Sequence, residues 1–187
     1  GLALGTDACA HKAALAAGLH TTAVPGSGLS DAVIGPRTNL ALAHEILEAG
    51  GALLSEHEDD YAAHPYDFPA RNRLMVGMSD AVLMIEAGEK SGTLITARLS
   101  GEYNRDLLTI PHRIGDPHSF GPHLFLRLGA ALVTEPLHVL EALRIAPREE
   151  ARTPKPHDLT SAEQLVWHAL ETPQERDTLL RAHPSLT

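Results

Sequence analysis

One cysteine, Cys9, stands in 187 residues, so neither an intrachain disulfide nor a cysteine-built metal cage can form. No apolar run approaches the ~20 residues that a membrane helix needs, which excludes a spanning segment. A basic stretch leading into an apolar core and a small-residue cleavage site is also missing. These absences point to a soluble, cytoplasmic protein with no membrane partner. Basic residues are scarce: 15 Lys and Arg face 24 Asp and Glu, a formal net charge of −9. That balance argues against a surface uniformly coated for polyanions, while leaving room for a local basic cleft. There is no Gly-x-Ser-x-Gly elbow and no Ser-His-Asp arrangement, so no nucleophile stands out. The chain does not open on Met, and Gly1-Leu-Ala-Leu-Gly-Thr-Asp7 reads as a loop. We therefore expect the sequence to be a fragment whose upstream residues are lost.

What is present is enough for a core: 43% of the residues are hydrophobic, in a length suited to one domain with a small appendage. Asp7 is placed to cap a helix that stops at Gly18, and Thr21 to Val24 reads as a short buried strand closed by Pro25-Gly-Ser-Gly28. A helix with Leu40, Ala43, Ile46 and Leu47 on its apolar face runs to Gly50-Gly51. Further strands are predicted at 52–55, 81–85, 107–110 and 131–133, with helices at 71–78, 93–103, 122–128 and 136–143. Short apolar strands alternating with amphipathic helices indicate βαβ units around a mostly parallel sheet covered on both faces. The expected fold is α/β, a Rossmann-like doubly wound domain over residues 1–145. A Pro- and charge-rich linker is expected over 146–158. Residues 159–187 then open with the capping box Thr160-Ser-Ala-Glu163, followed by a second short helix at 174–181. They read as the start of a truncated helical module, for which a winged helix is one candidate form.

In an open α/β sheet, ligands bind beyond the carboxyl ends of the strands. Gly26-Ser27-Gly28 falls there, and successive amides at such a bend can cup an anion, although a plain turn has the same composition. Lys90-Ser91-Gly92 opens a helix, where free N–H groups and a positive dipole end suit phosphate, or where Ser91 simply caps. The Walker spacing is absent. Arg71 and Arg73 offer guanidinium forks to the same rim, unless they pair with the acidic loop upstream or with Glu86. Glu56, Glu58, Asp59 and Asp60 are expected to form a solvated acidic loop. His112, His118 and His123 flank one loop at spacings that match no ordinary metal set, and are expected to be plain core or surface histidines.

Taken in order, Gly1-Leu-Ala-x-Gly-x-Asp7 with Ala10-His11, Ala23-Val-x-Gly-Ser-Gly-Leu29, Gly51-Ala-Leu-Leu-Ser-Glu56, Phe68-Pro-x-Arg-Asn-Arg73, Gly77-x-Ser79, Glu86-Ala87 and Ser91-Gly-Thr-Leu-Ile-Thr-Ala97 resemble the DNA-processing protein A family (DprA, also called Smf). The resemblance runs from Gly1 to about Leu143. It implies a Rossmann-like domain that binds single-stranded DNA, pairs into a homodimer, and helps load the RecA recombinase in natural transformation. No catalytic turnover, metal or cofactor is implied. Carried over by position, the DNA-holding residues would be Gly26, Ser27, Gly28, Arg71, Arg73, Lys90, Ser91 and Gly92, with Asp7 and Asn72 organising the loops. The sequence departs from the family pattern at Gly28-Leu-Ser-Asp31, at Pro111-His112 and at Gly121-Pro122-His123, and the family's upstream Gly-Ser-Arg loop is not in this chain. A second class, a phosphoribohydrolase-like enzyme acting on nucleoside monophosphates, shares the fold type but needs a Pro-Gly-Gly-x-Gly-Thr-x-x-Glu motif that this sequence lacks.

Overall fold

The structure, a computed structural model, describes residues 1–146, 160–169 and 176–182. It divides into two compact units, Gly1–Pro147 and Arg148–Thr187. In the first unit, helices and strands alternate: α1 (Thr6–Ala16), β1 (Thr22–Ala23), α2 (Leu40–Glu48), β2 (Ala52–Leu53), α3 (Asp67–Gly77), β3 (Ala81–Met84), α4 (Thr93–Glu102), β4 (Asp106–Thr109), α5 (Phe120–Arg127), β5 (Ala131–Leu132) and α6 (Pro136–Ala142). Every strand pairing is parallel, with a helix in every crossover. This is the Rossmann-like α/β arrangement expected from the alternating pattern.

The strands form two ladders. β1 pairs with β2, Thr22 opposite Ala52, and β3-β4-β5 form a second ladder with Ala81 opposite Asp106 and Leu108 opposite Ala131. A single continuous sheet is thus not formed, because no strand among the described residues bridges β2 or β1 to β3. Each ladder has its own apolar centre. Leu2, Ala8, Ala23, Ile34, Leu42, Ala43 and Ile46 gather around β1 and α2. Met84, Ala87, Leu94, Ala97 and Phe125 gather around β3, α4 and α5. Burial of one such large side chain contributes about 1.5–3 kcal/mol.

α2 shows how the pattern resolves. Its buried residues are Leu42, Ala43 and Ile46, one turn apart on one face, while Leu47 is half exposed against expectation. α3 begins at Asp67, four residues before the predicted start, because Pro69 falls in the first turn, where a missing N–H costs nothing. Asp7 lies inside α1 rather than at its cap, and its carboxylate accepts the Ala3 N–H at 3.0 Å, holding the preceding loop.

The second unit contains α7 (Ser161–Ala169) and α8 (Arg176–Ala182). The capping box closes: Glu163 Oε2 accepts the Thr160 N–H at 2.8 Å and the Thr160 hydroxyl accepts the Glu163 N–H at 3.4 Å. The Thr160 hydroxyl, which donates to Glu163 Oε2 at 2.6 Å, and then the Thr160 N–H hold the Glu163 carboxyl below its usual range. Apart from Ala146, the linker expected over 146–158 lies outside the described residues.

Candidate nucleic-acid interface

The loops leaving the carboxyl ends of the strands form two groups of contacts. After β1 the chain turns through Gly26, Ser27 and Gly28, all three buried. A Cβ on Gly26 would press on the Phe68 ring at 3.0 Å, and one on Gly28 would overlap the carbonyl oxygens of Glu58 and Asp59. The Gly28 N–H is donated to the Tyr61 carbonyl at 2.9 Å, and the Ser30 N–H to the Asp59 carbonyl at 2.9 Å. Ser27 is 2% exposed, its hydroxyl donates to the Gly28 carbonyl, and its own carbonyl accepts the Ser55 hydroxyl at 2.7 Å. The glycines therefore serve close packing by the segment after β2. At Gly26, Ser27 and Gly28, where composition left an anion cup and a plain turn both open, Phe68 lies against Gly26 while the segment after β2 fills the space beside Gly28 and takes its amide.

The two arginines of α3 differ. Arg73 donates to both carboxylate oxygens of Glu56, at 2.6 and 2.7 Å, so it pairs with the acidic loop, one of the two readings its sequence left open. Arg71 is partly buried, with Nε donating to the Asn72 side-chain oxygen at 3.2 Å and Nη1 buried without a partner among the described residues. Burial lowers its pKa and the nearby Asp7 carboxylate opposes that shift. Neither guanidinium is a freely extended fork.

The segment between β2 and α3 is more ordered than a solvated acidic loop. Glu58, Asp59 and Asp60 are exposed as expected, but their neighbours form a ladder of rings. His57 stacks on Tyr61 at 4.1 Å, and His64 stacks on Tyr66 at 5.4 Å. Asp67, 5% exposed, accepts the His64 N–H at 2.7 Å and the Tyr61 hydroxyl at 3.1 Å, with His57 Nε2 at 3.9 Å. The His64 N–H is the chief cause that holds the Asp67 carboxyl below its usual range. Hydrogen bonding to Tyr66, then burial and Asp67, push the Tyr61 phenol up. Sequence reasoning missed Asp67. An Asp two residues before a proline gives no local sign that it will be buried.

The second group follows β3 and β4. The Ala87 N–H donates to the His118 carbonyl at 2.9 Å and the Gly121 N–H to the Ala87 carbonyl at 2.7 Å, which ties the two loops together. His112 Nε2–H donates to the Ile85 carbonyl at 2.7 Å, and His123 Nε2–H to the His112 carbonyl at 3.1 Å. Two of the three histidines thus brace backbone. No group of three or more His, Cys, Asp or Glu able to hold a metal ion occurs among the described residues.

Here the structure leaves the chain open. Lys90 and Gly92 are exposed, and nothing lies within 4 Å of a Cβ built on Gly92. The Ser91 hydroxyl accepts the Thr93 N–H at 3.2 Å, one residue ahead of Gly92, which holds the N-cap position of α4. Beside it lies a cleft of about 680 Å³ lined by Lys90, Phe120, His123 and Arg127 together with Glu89 and Asp116. The arrangement offers two cations offset by two carboxylates, and an aromatic face, with Lys90 three residues ahead of the N-terminus of the ten-residue α4. Phosphate oxygens and a base ring are the chemistry such a surface can hold.

Residues 1–144 match the family model described as DNA recombination-mediator protein A. Protein Smf of Escherichia coli is 47% identical over 144 residues, which are 77% of this chain and 38% of that protein. DNA processing protein DprA of Streptococcus pneumoniae is 40% identical over 140 residues, 75% of this chain and 49% of that one. The chain thus spans less than half the length of these two curated relatives. Its fold superposes on the crystal structure of the S. pneumoniae protein with a TM-score of 0.68 at 39% identity, covering 75% of this chain and 49% of the other. The DNA processing protein A of Helicobacter pylori, studied for its single-stranded DNA binding mode, gives 0.67 at 32% identity, over 77% and 64% of the two chains. With a parallel α/β fold and a family match across three quarters of its length, the chain belongs to the DNA recombination-mediator protein A family.

Proposed function

We propose that this chain holds single-stranded DNA for a recombination mediator, which helps load RecA on incoming strands in natural transformation, and that it does so as a homodimer without catalytic turnover. The observation that carries the reading is the family match over residues 1–144, together with the single-strand binding of the H. pylori relative. The exposed Lys90-Ser91-Gly92 entrance to α4 supports it as the place where a sugar-phosphate backbone sits, with Phe120 available to a base. Arg71 and Arg73 are further candidate contacts for the strand, and Gly26, Ser27 and Gly28 join them only when uncovered.

The test is a salt titration of the full chain with a single-stranded oligonucleotide and with duplex of the same sequence. The single strand binds more tightly, and its log affinity falls with log salt at about −0.7 per phosphate neutralised. Lys90→Ala reduces that slope by about the share of one phosphate contact. Equal binding of the two forms, or none, overturns the reading. Faster RecA assembly on a single strand in the presence of the chain tests the loading role separately.

A further inference from the structure

The segment His57–Asp67 is built more carefully than an idle surface loop requires. Four rings follow one another along it, and the buried Asp67 carboxylate gathers the His64 amide and the Tyr61 hydroxyl. All of this fixes three backbone carbonyls against the bend after β1. Tyr61 takes the Gly28 amide, Asp59 takes the Ser30 amide, and Glu58 and Asp59 occupy the space beside the Gly28 Cα. A phosphate at that bend would need the same amides and the same space. It would also meet the exposed carboxylates of Glu58, Asp59 and Asp60, a segment with no Lys or Arg of its own. Phosphate and segment exclude one another.

The segment is also cheap to move. Neither apolar centre draws a residue from 56–66, and Glu58, Asp59, Asp60, His64 and Tyr66 are exposed. A region joined to the body by a few polar contacts, with little buried apolar area, opens at low free-energy cost. The geometry points to an autoinhibitory strap: residues 57–66, clasped by Asp67 at the start of α3, cover the Gly28 end of the bend after β1 and lift before that bend takes a DNA phosphate. This rests on the DNA-binding reading above, and it adds that part of the binding surface is covered in the free protein.

The strap is tested by amide hydrogen exchange and DNA affinity on the full chain, wild type and Tyr61→Phe, with an oligothymidylate as probe. Tyr61→Phe keeps the ring and deletes one bond to Asp67. We expect faster exchange at Gly28, Ser30 and His64 in the free variant, and affinity tighter by up to about tenfold, as the covered fraction shrinks. In the wild type, adding the oligonucleotide speeds exchange at His64, whose acceptor is lost as the strap lifts. Faster exchange in the variant with unchanged or weaker affinity overturns the strap while leaving DNA binding intact. Slower exchange at His64 on adding DNA overturns it too. Failure of both proteins to bind any oligonucleotide sinks the DNA-binding reading and the strap's function with it. Asp67→Asn, which keeps the side-chain shape, gives the same pattern if the clasp is the carboxylate.

Discussion

Two glycine-serine bends occupy equivalent positions in this molecule, each just beyond the carboxyl end of a parallel strand, yet they meet opposite fates. Gly26-Ser27-Gly28 is buried under the segment after β2, and its Gly28 amide is already bonded. Lys90-Ser91-Gly92 stands open at the entrance to α4, with solvent on the side where a Cβ would point. Glycine is used in the first to let backbone approach backbone, whereas in the second nothing nearby demands it. What separates the two is the length and chemistry of the next crossover. Thirteen residues lie between β2 and α3 (54–66), long enough to fold back over the first bend, while the loop after β4 is tied to Ala87 and stops short of Gly92.

The largest expected effect breaks the comparison at its tightest point. Gly28→Ala drives a methyl into the carbonyls of Glu58 and Asp59 and lowers unfolding stability by about 1–3 kcal/mol. Gly92→Ala, at φ −60° and ψ −22° with nothing nearby, leaves stability unchanged or raises it by about 0.4–1 kcal/mol. Urea denaturation of both variants decides the matter, and equal losses would remove the distinction. Next comes charge. Lys90→Ala weakens single-strand binding roughly several-fold at low salt, whereas Arg73→Ala has a smaller effect because Glu56 already neutralises its guanidinium. Fluorescence anisotropy reads both, and Glu56→Gln should strengthen binding by freeing Arg73.

Acid sharpens the contrast further. The Asp67 carboxyl is held below its ordinary value, so its stabilisation is complete above the unfolded value of about 3.9 and is lost as pH falls through the lower folded value. Amide exchange at Gly28 and Ser30, corrected for its intrinsic pH dependence, should therefore accelerate below about pH 4, with no matching change at Ala87 or Gly121. Asp67→Asn flattens the response. At the open bend, Ser91→Ala removes the hydroxyl that accepts the Thr93 N–H and costs about 0.5–1.5 kcal/mol by thermal or chemical melting.

The alternation of strands and helices was legible because the strands are short apolar runs bounded by polar or turn-forming residues, as Ala81-Val-Leu-Met-Ile85 is by Glu86. The early start of α3 was hidden by Phe68-Pro69, a pair that reads as a break although proline fits a first turn. The open bend was equally plain as the entrance to a helix, because Ser91 acts on Thr93, two residues away. The closed half was not. Gly28 is covered by residues thirty positions further on, Arg73 is paired seventeen positions back, and Asp67 is buried by tertiary contacts alone. Local pattern carries local geometry, and it is silent on what a distant crossover will lay on top.

The Arg73–Glu56 pair has a kinetic meaning. Two opposite charges held within 2.7 Å act at a distance as a dipole, whose field decays faster than that of a lone cation. An approaching polyanion therefore feels the surplus of acidic residues, −9 over the chain, before it feels this guanidinium. Capture would then be slow at low ionic strength, with Lys90 and Arg127 sharing their cleft with Glu89 and Asp116, so that moderate salt, by screening the long-range repulsion, speeds encounter even as it shortens residence.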